Sequence, residues 1–376
     1  MNFTLSDEQA MLKDSVSRFL RAHYGFERRR DFLAAGGSDA AIWSGIAELG
    51  LLGASLPEEL GGLGGGAIET MVIMESFGEA LVIEPYVETI VLGAGILKRV
   101  GDERSRKLIA DIVTGKARVA LAAGEPSARY DLGSPATVAV RDGDEWVIEG
   151  MKSVVDAAPV ASHLILTAQV QGGAGGVSFF LVDKRPATLS SRDFRLLDGR
   201  SASDIRLEGL RLPADALLGE YGAGLPIVEA VRDEAIAAIC AEAVGGMRRM
   251  LADTLQYTKQ RKQFGQPLGS FQVLQHRMVD MYLAIERAAS AVYLATLKLN
   301  ADSRTRALAA SSAKVTIAET ARMVGQSAVQ LHGGMGMTDE LAVGHYFKRA
   351  TVIESQFGSR DFHLARYAAL TRPVAA

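Results

Sequence analysis

Cysteine is almost absent. Cys240 is the only one in 376 residues, so no internal disulfide can form. That suits a reducing compartment. Cys240 lies in the apolar stretch 235–241, where a thiol serves as a small buried residue. A dominant charge is also missing. Lys and Arg number 41 against 44 Asp and Glu, a net of -3, and the cations are dispersed. This leaves no electrostatic basis for nucleic-acid binding. No apolar run approaches the roughly 20 residues of a membrane span. Residues 1–9 have neither the basic start nor the apolar core of a signal peptide. The expectation is a soluble, cytoplasmic protein without membrane or nucleic-acid partners.

Several chemical signatures are lacking too. No Gly-x-Ser-x-Gly elbow marks a hydrolase. No second His, Cys or carboxylate stands at metal spacing from His332, so it reads as a packed histidine at a helix end. The glycines at 61–66 and 333–336 do not form G-x-G-x-x-G between a strand and a helix, which excludes a Rossmann loop.

What is present divides into three sections. With 23% charged and 48% hydrophobic residues, the chain is long enough for two or three cooperating domains. In the first section, Ser6 and Gln9 form a capping box, and Leu12, Val16, Phe19 and Leu20 follow at helical spacing. Further helices are expected at 40–49, 68–81, 85–100 and 103–113. Strand signals begin near Lys116. Residues 137–140 and 146–148 flank a polar turn and predict a hairpin. More strands are expected at 119–123, 164–166, 177–182 and 205–210, forming a small barrel or sandwich. Helical periodicity returns near Leu225, with long helices at 227–257, 275–300 and 306–332. A last helix follows Gly358, with Ser359 as its N-cap. The expected domains are 1–115, 116–220 and 221–376.

Two segments at helix ends carry binding chemistry. Arg261-Lys262-Gln263-Phe264-Gly265, followed by Gln272, offers a planar fork of donors, a flat ring and an amide. The same residues also read as a cationic helix terminus with a glycine stop. Gln330-Leu331-His332-Gly333-Gly334-Met335-Gly336 offers backbone open to close approach, or simply a C-cap turn.

These two stretches, with Pro57-Glu58-Glu59-Leu60-Gly61-Gly62-Leu63-Gly64 and Gly143-Asp144-Glu145-Trp146-Val147-Ile148-Glu149-Gly150-Met151-Lys152, occur in the order found in the acyl-CoA dehydrogenases. The chain resembles that family along nearly its whole length. The resemblance implies an α+β fold: an N-terminal helical domain, a middle β-barrel or sandwich and a C-terminal four-helix bundle. It implies FAD, an acyl-CoA substrate, electron-transfer flavoprotein as acceptor, and assembly as a homodimer, a tetramer or a complex with a related subunit. By the same resemblance, Arg261, Phe264 and Gln272 hold the diphosphate and adenosine of a neighbouring subunit's FAD. Gln330 and Gly334 make adenosine-side contacts, and Ser359 and Asp361 join the cofactor set.

The chain departs from the family beside the flavin ring. A Trp-x-Thr pair is replaced by Val154 and Asp156, and the segment Gly124-Glu125-Pro126-Ser127-Ala128-Arg129-Tyr130 lacks the flavin-facing hydroxyl. The family's usual glutamate base falls on Phe357, or on Gln356 in an ungapped register. The alternative base position on the first long bundle helix falls on Ala235, beside Asp233 and Glu234. Glu234 and Glu354 are the acids left as base candidates. Tyr24-Gly25-Phe26-Glu27-x-Arg29-Arg30 and Phe357-Gly358, with Asp361-x-His363-Leu364 after it, are similar to the small-subunit branch of pimeloyl-CoA dehydrogenases. That implies a two-subunit enzyme whose partner supplies the base. The other readings are a self-sufficient dehydrogenase using Glu234, a flavin-free structural partner, and a flavin oxidase or monooxygenase of the same fold.

Overall fold

The computed structural model describes residues 4–173, 175–183 and 189–372. Helix α1 (Asp7–His23) opens on the expected capping box: Gln9 N–H donates to Ser6 Oγ at 3.2 Å, and Ser6 N–H to Gln9 Oε1 at 3.0 Å. α2 (Phe26–Ala34) follows, then α3 (Ala40–Glu48), capped by the Asp39 carboxylate, and α4 (Ala67–Ala80). The helix expected at 85–100 is not uniform. Val87–Ala94 is wound as a π-helix and passes into α5 (Gly95–Val100). α6 (Glu103–Val113) starts on Asp102, whose carboxylate accepts from Ser105 N–H at 2.7 Å.

The strands are β1 (Val119–Ala122), β2 (Val138–Asp142), β3 (Glu145–Asp156), β4 (His163–Val170), β5 (Ser178–Asp183), β6 (Leu189–Arg195), β7 (Ser201–Pro213) and β8 (Leu217–Leu218). Gly143 and Asp144 form the two-residue turn between β2 and β3, as the hairpin signal predicts. The sheet order is β6-β7-β3-β2-β4-β5-β8, with β1 paired to β4. β4 joins the parts. Its residues 163–166 pair with β1, 163–168 with β5, and Gln169 and Val170 with β2. Trp146, Ile148, Phe180, Ile205 and Leu210 lie in the core between these strands. Trp146 meets Phe180 edge to face at 5.3 Å.

The bundle begins with α7 (Leu225–Gln260) and the hairpin strands β9 (Lys262–Gln263) and β10 (Gln266–Pro267). It continues through α8 (Gln272–Leu297), α9 (Ser303–His332), α10 (Ala342–Ser355) and α11 (Arg360–Thr371). Sequence periodicity found neither α2 nor α10. The chain divides into two compact units, one of residues 1–31, 67–82 and 236–376, the other of 32–66 and 83–235. Within the first, α4 and α7 touch backbone to backbone. A Cβ on Gly78 would lie 1.9 Å from Glu242 O, and one on Gly245 would lie 1.9 Å from Glu75 O. The buried Glu242 and Arg349 form a two-pronged ion pair beside this crossing, with both contacts at 2.7 Å.

Candidate cofactor and active site

α7 ends where Arg261 N–H donates to Tyr257 O at 2.8 Å. A tight hairpin follows. Phe264 (φ +54°) and Gly265 (φ +80°) both take left-handed conformations, and Leu268 N–H donates back to Arg261 O at 2.8 Å. The guanidinium of Arg261 is exposed, and among the described residues no carboxylate pairs with it. Phe264 is 89% exposed, its ring perpendicular to that of Phe271 with centroids 6.1 Å apart. Gln272, also exposed, opens α8.

α9 ends similarly. Gln330 is exposed on its last turn, and Gly333 N–H donates to Gln330 O from a φ of +59°. A Cβ on Gly334 would meet nothing within 4 Å, so the backbone there is open to a ligand. His332 is buried, as expected of a packed helix-end histidine. Its Nδ1 bonds Ala328 O at 2.8 Å, and its ring lies 4.4 Å from that of Tyr257. Tyr257 O–H donates to His332 O at 3.2 Å. The structure thus joins the ends of α7 and α9 through a contact that motif reading missed. An uncommitted guanidinium, an uncovered ring and open glycine backbone fit a dinucleotide diphosphate and its flat base.

Ser359 and Asp361 lie at the start of α11. Ser359 Oγ accepts from Phe362 N–H at 3.3 Å as the N-cap of α11, and Asp361 accepts from Arg360 Nη1 at 3.2 Å.

The loop after α10 carries Gln356, Phe357 (φ +58°) and Gly358 (φ +129°). Its shape is pinned from below. Buried Lys314 donates to Gly358 O at 2.6 Å and Glu354 O at 3.0 Å. Burial lowers this amine's pKa to about 8. His363 Nε2 contacts Phe357 O at 3.2 Å. The carboxylate of Glu354 turns away to Arg322. On α7, Ala235 and Asp233 are fully buried. Glu234 is gripped by Arg99, with Nη2 to Oε1 at 2.5 Å and Nη1 to Oε2 at 3.4 Å.

In the strand domain, Val154 sits at a register shift between β3 and β7 with φ +50°, a strained choice for a β-branched residue. Its side chain is 53% exposed and its N–H donates to Asp204 at 3.0 Å. Two residues earlier on β3 lies a second feature the motifs did not reveal. Lys152, fully buried, donates to Glu125 at 2.6 Å and to Thr167 at 3.1 Å. Glu125 also accepts from Thr137 Oγ1, Thr137 N–H and Ala136 N–H. Ser153 N–H donates to Gly124 O at 2.9 Å, so the two flavin-type segments are tied together.

Family models match this chain in order: the acyl-CoA dehydrogenase N-terminal domain over residues 6–116, the middle domain over 120–209 and the C-terminal domain over 222–370. The chain belongs to the acyl-CoA dehydrogenase family. It is an oxidoreductase acting on acyl-CoA, and its cofactor is FAD. Probable acyl-CoA dehydrogenase YngJ of Bacillus subtilis is 31% identical over 96% of this chain and 97% of its own length. The caffeyl-CoA reductase-Etf complex subunit CarC of Acetobacterium woodii is 28% identical over 92% and 93%. Among solved structures, a glycine-to-alanine variant of the steroid acyl-CoA dehydrogenase Tcur3481-Tcur3483 superposes with a TM-score of 0.87. It is 29% identical, with 98% of each chain covered. The pimeloyl-type likeness rests on residues 24–30 and 357–364 alone. Among the described residues, no helix is long and apolar enough to cross a membrane.

Proposed function

We propose that this chain performs α,β-dehydrogenation of an acyl-CoA thioester as one subunit of a heteromeric dehydrogenase, with the proton-abstracting carboxylate supplied by a related partner subunit. The observation that carries this reading is the 356–358 loop. It is held by Lys314 and His363, and by the family resemblance the acid's position falls on Phe357 or, in an ungapped register, on Gln356. Neither side chain can accept a proton from carbon. The α proton of a thioester is weakly acidic, so a positioned base contributes roughly 100- to 10,000-fold. The remaining acids, Glu234 and Glu354, are each occupied by an arginine.

The bound flavin supplies the hydride acceptor. In this reading, Arg261 would meet the diphosphate charge of a neighbouring subunit's FAD, Phe264 and Gln272 would join it in holding the diphosphate and adenosine, and Gln330 with the open backbone at Gly334 would make adenosine-side contacts. These uncommitted groups favour a flavin-holding subunit over a purely structural one. The pair of gene products named in the steroid relative supports a two-subunit arrangement, and the Etf complex of CarC supports electron-transfer flavoprotein as acceptor. One sealed thiol suits a reducing compartment, and we place the protein in the cytoplasm.

The test is turnover with an artificial electron acceptor. The purified chain alone should show little or none. Co-expression with a related subunit bearing a glutamate at the position of Phe357 should restore it, and changing that glutamate to Gln should abolish it again. Robust turnover by the isolated chain, lost on Glu234→Gln, would refute the partner reading in favour of a relocated base.

A further inference from the structure

The Tyr257–His332 contact does more than pack two helices. Tyr257 lies one turn before Arg261, and its carbonyl receives the Arg261 N–H that ends α7. His332 lies two residues after Gln330, and its carbonyl is the last before the glycine turn 333–337. Carbonyls in a helix's last turn have no partner within the helix. The Tyr257 hydroxyl satisfies the one on His332. The His332 ring is fixed in turn by its Nδ1 contact to Ala328 O and by the Tyr257 ring. A carbonyl oxygen can only accept, so Nδ1 carries a hydrogen.

Residues 333–337 form a short 3-10 turn that Thr338 closes, its N–H and Oγ1 donating to Met335 O at 3.2 and 3.0 Å, and side chains add little to hold the turn. Gly333, Gly334 and Gly336 carry no side chain, and Met335 and Met337 are exposed. Only Gly336, whose Cβ would lie 2.6 Å from Val329 O, is packed closely. An unclamped glycine segment has many conformations, and a ligand would have to order it on binding.

We propose that Tyr257 and His332 are positioning residues for the cofactor: a clamp that sets the Arg261 end of α7 and the Gln330–Gly334 end of α9 at one fixed separation before FAD arrives. This rests on the reading that these two ends hold the FAD diphosphate and adenosine. Neither residue touches the reacting atoms.

The experiment is a flavin titration of the full chain in the assembly that binds FAD, after removal of its native flavin, read by fluorescence quenching. Tyr257→Ala and His332→Ala should each weaken FAD by about tenfold, the worth of roughly one hydrogen bond with its ring contact. The double variant should be little worse than either single one, because both break the same contact. Amide exchange at 333–337 should speed up in the flavin-free variants. Arg261→Ala serves as the reference. If it loses FAD while folded Tyr257→Ala and His332→Ala bind FAD like the native chain, the clamp is overturned and the cofactor site stands. If Arg261→Ala also keeps native affinity, the cofactor-site reading falls and takes the clamp with it. Should the alanine variants fail to fold, Tyr257→Phe decides. About threefold weaker binding supports the clamp, for loss of one modest hydrogen bond, and unchanged affinity overturns it.

Discussion

Replacing Glu125 by Gln tests the strand domain's buried ion pair through its pH dependence. Glu125 accepts four hydrogen bonds, from Lys152 Nζ, Thr137 Oγ1, Thr137 N–H and Ala136 N–H. An amide of the same shape turns an NH2 group towards donors, which costs about 1–3 kcal/mol. The charge adds a second effect. Burial lowers the Lys152 pKa from 10.5 to about 8, and Glu125 keeps it from falling further. At pH 7 the native amine is therefore protonated in both folded and unfolded chains. Without the carboxylate, burial alone drives the folded amine to its neutral form. The variant then forgoes protonation energy worth about 1.4 kcal/mol per pH unit below the native value of 8. The sign follows from linkage. The folded pKa is depressed, so the lysine's penalty is complete at low pH and lifts as pH rises towards 10.5. In the variant that lifting begins at lower pH. The predicted loss is about 3–4 kcal/mol at pH 7, in the range of a broken buried pair, and about 1.4 kcal/mol smaller at pH 9. The Glu125 carboxyl does not titrate in this window. Burial opposes its ionisation, but Lys152 and Thr137 outweigh that and hold its pKa below 4.5. Urea unfolding at pH 7 and 9, at fixed protein and FAD concentrations, reads the difference. An equal loss at both values, or one under about 1 kcal/mol, would show that the pair is not the buried, charge-coupled contact described.

Two further outcomes are expected. Gly78→Ala forces a methyl to 1.9 Å from Glu242 O, against backbone that cannot step aside, and should cost more than about 3 kcal/mol or abolish soluble expression; a near-native melting temperature would contradict the close crossing of α4 and α7. Val154→Gly relieves the left-handed strain of an exposed β-branched residue and should raise stability by about 0.5–1 kcal/mol, checked by thermal unfolding, where a lower melting temperature counts against the strain.

Local signals carried much of the fold. The Ser6 capping box, the turn at Gly143-Asp144 and the Ser359 cap are short-range devices, and each forms as its spacing predicts. The failures are physical as well. α2 reads FERRRDFLA, with charges around most of the helix, so no apolar stripe marks it. α10 mixes Gly344 with β-branched Thr351, Val352 and Ile353, which weakens a helical pattern that packing then enforces. The segment Val87–Ala94 is buried throughout, Glu88 and Thr89 included, so its pattern shows no exposed face whose period would separate π from α winding. Site residues divide the same way. Arg261, Phe264, Gln330 and Gly334 stood out because they cluster in short motifs. Lys152 finds Glu125 across 27 residues, and Tyr257 finds His332 across 75, distances at which no spacing rule applies.

The hairpin between β9 and β10 has a consequence for what folding alone would select. A two-residue turn with both φ values positive is the natural place for Asn-Gly or Asp-Gly. Phe264 fills the first position instead, with a bulky ring in a conformation that disfavours it and nearly all of its apolar surface in water. On both counts an isolated chain would be better served by asparagine. The ring is thus a liability to the lone subunit, and any advantage it brings lies outside the free monomer, in something that covers it.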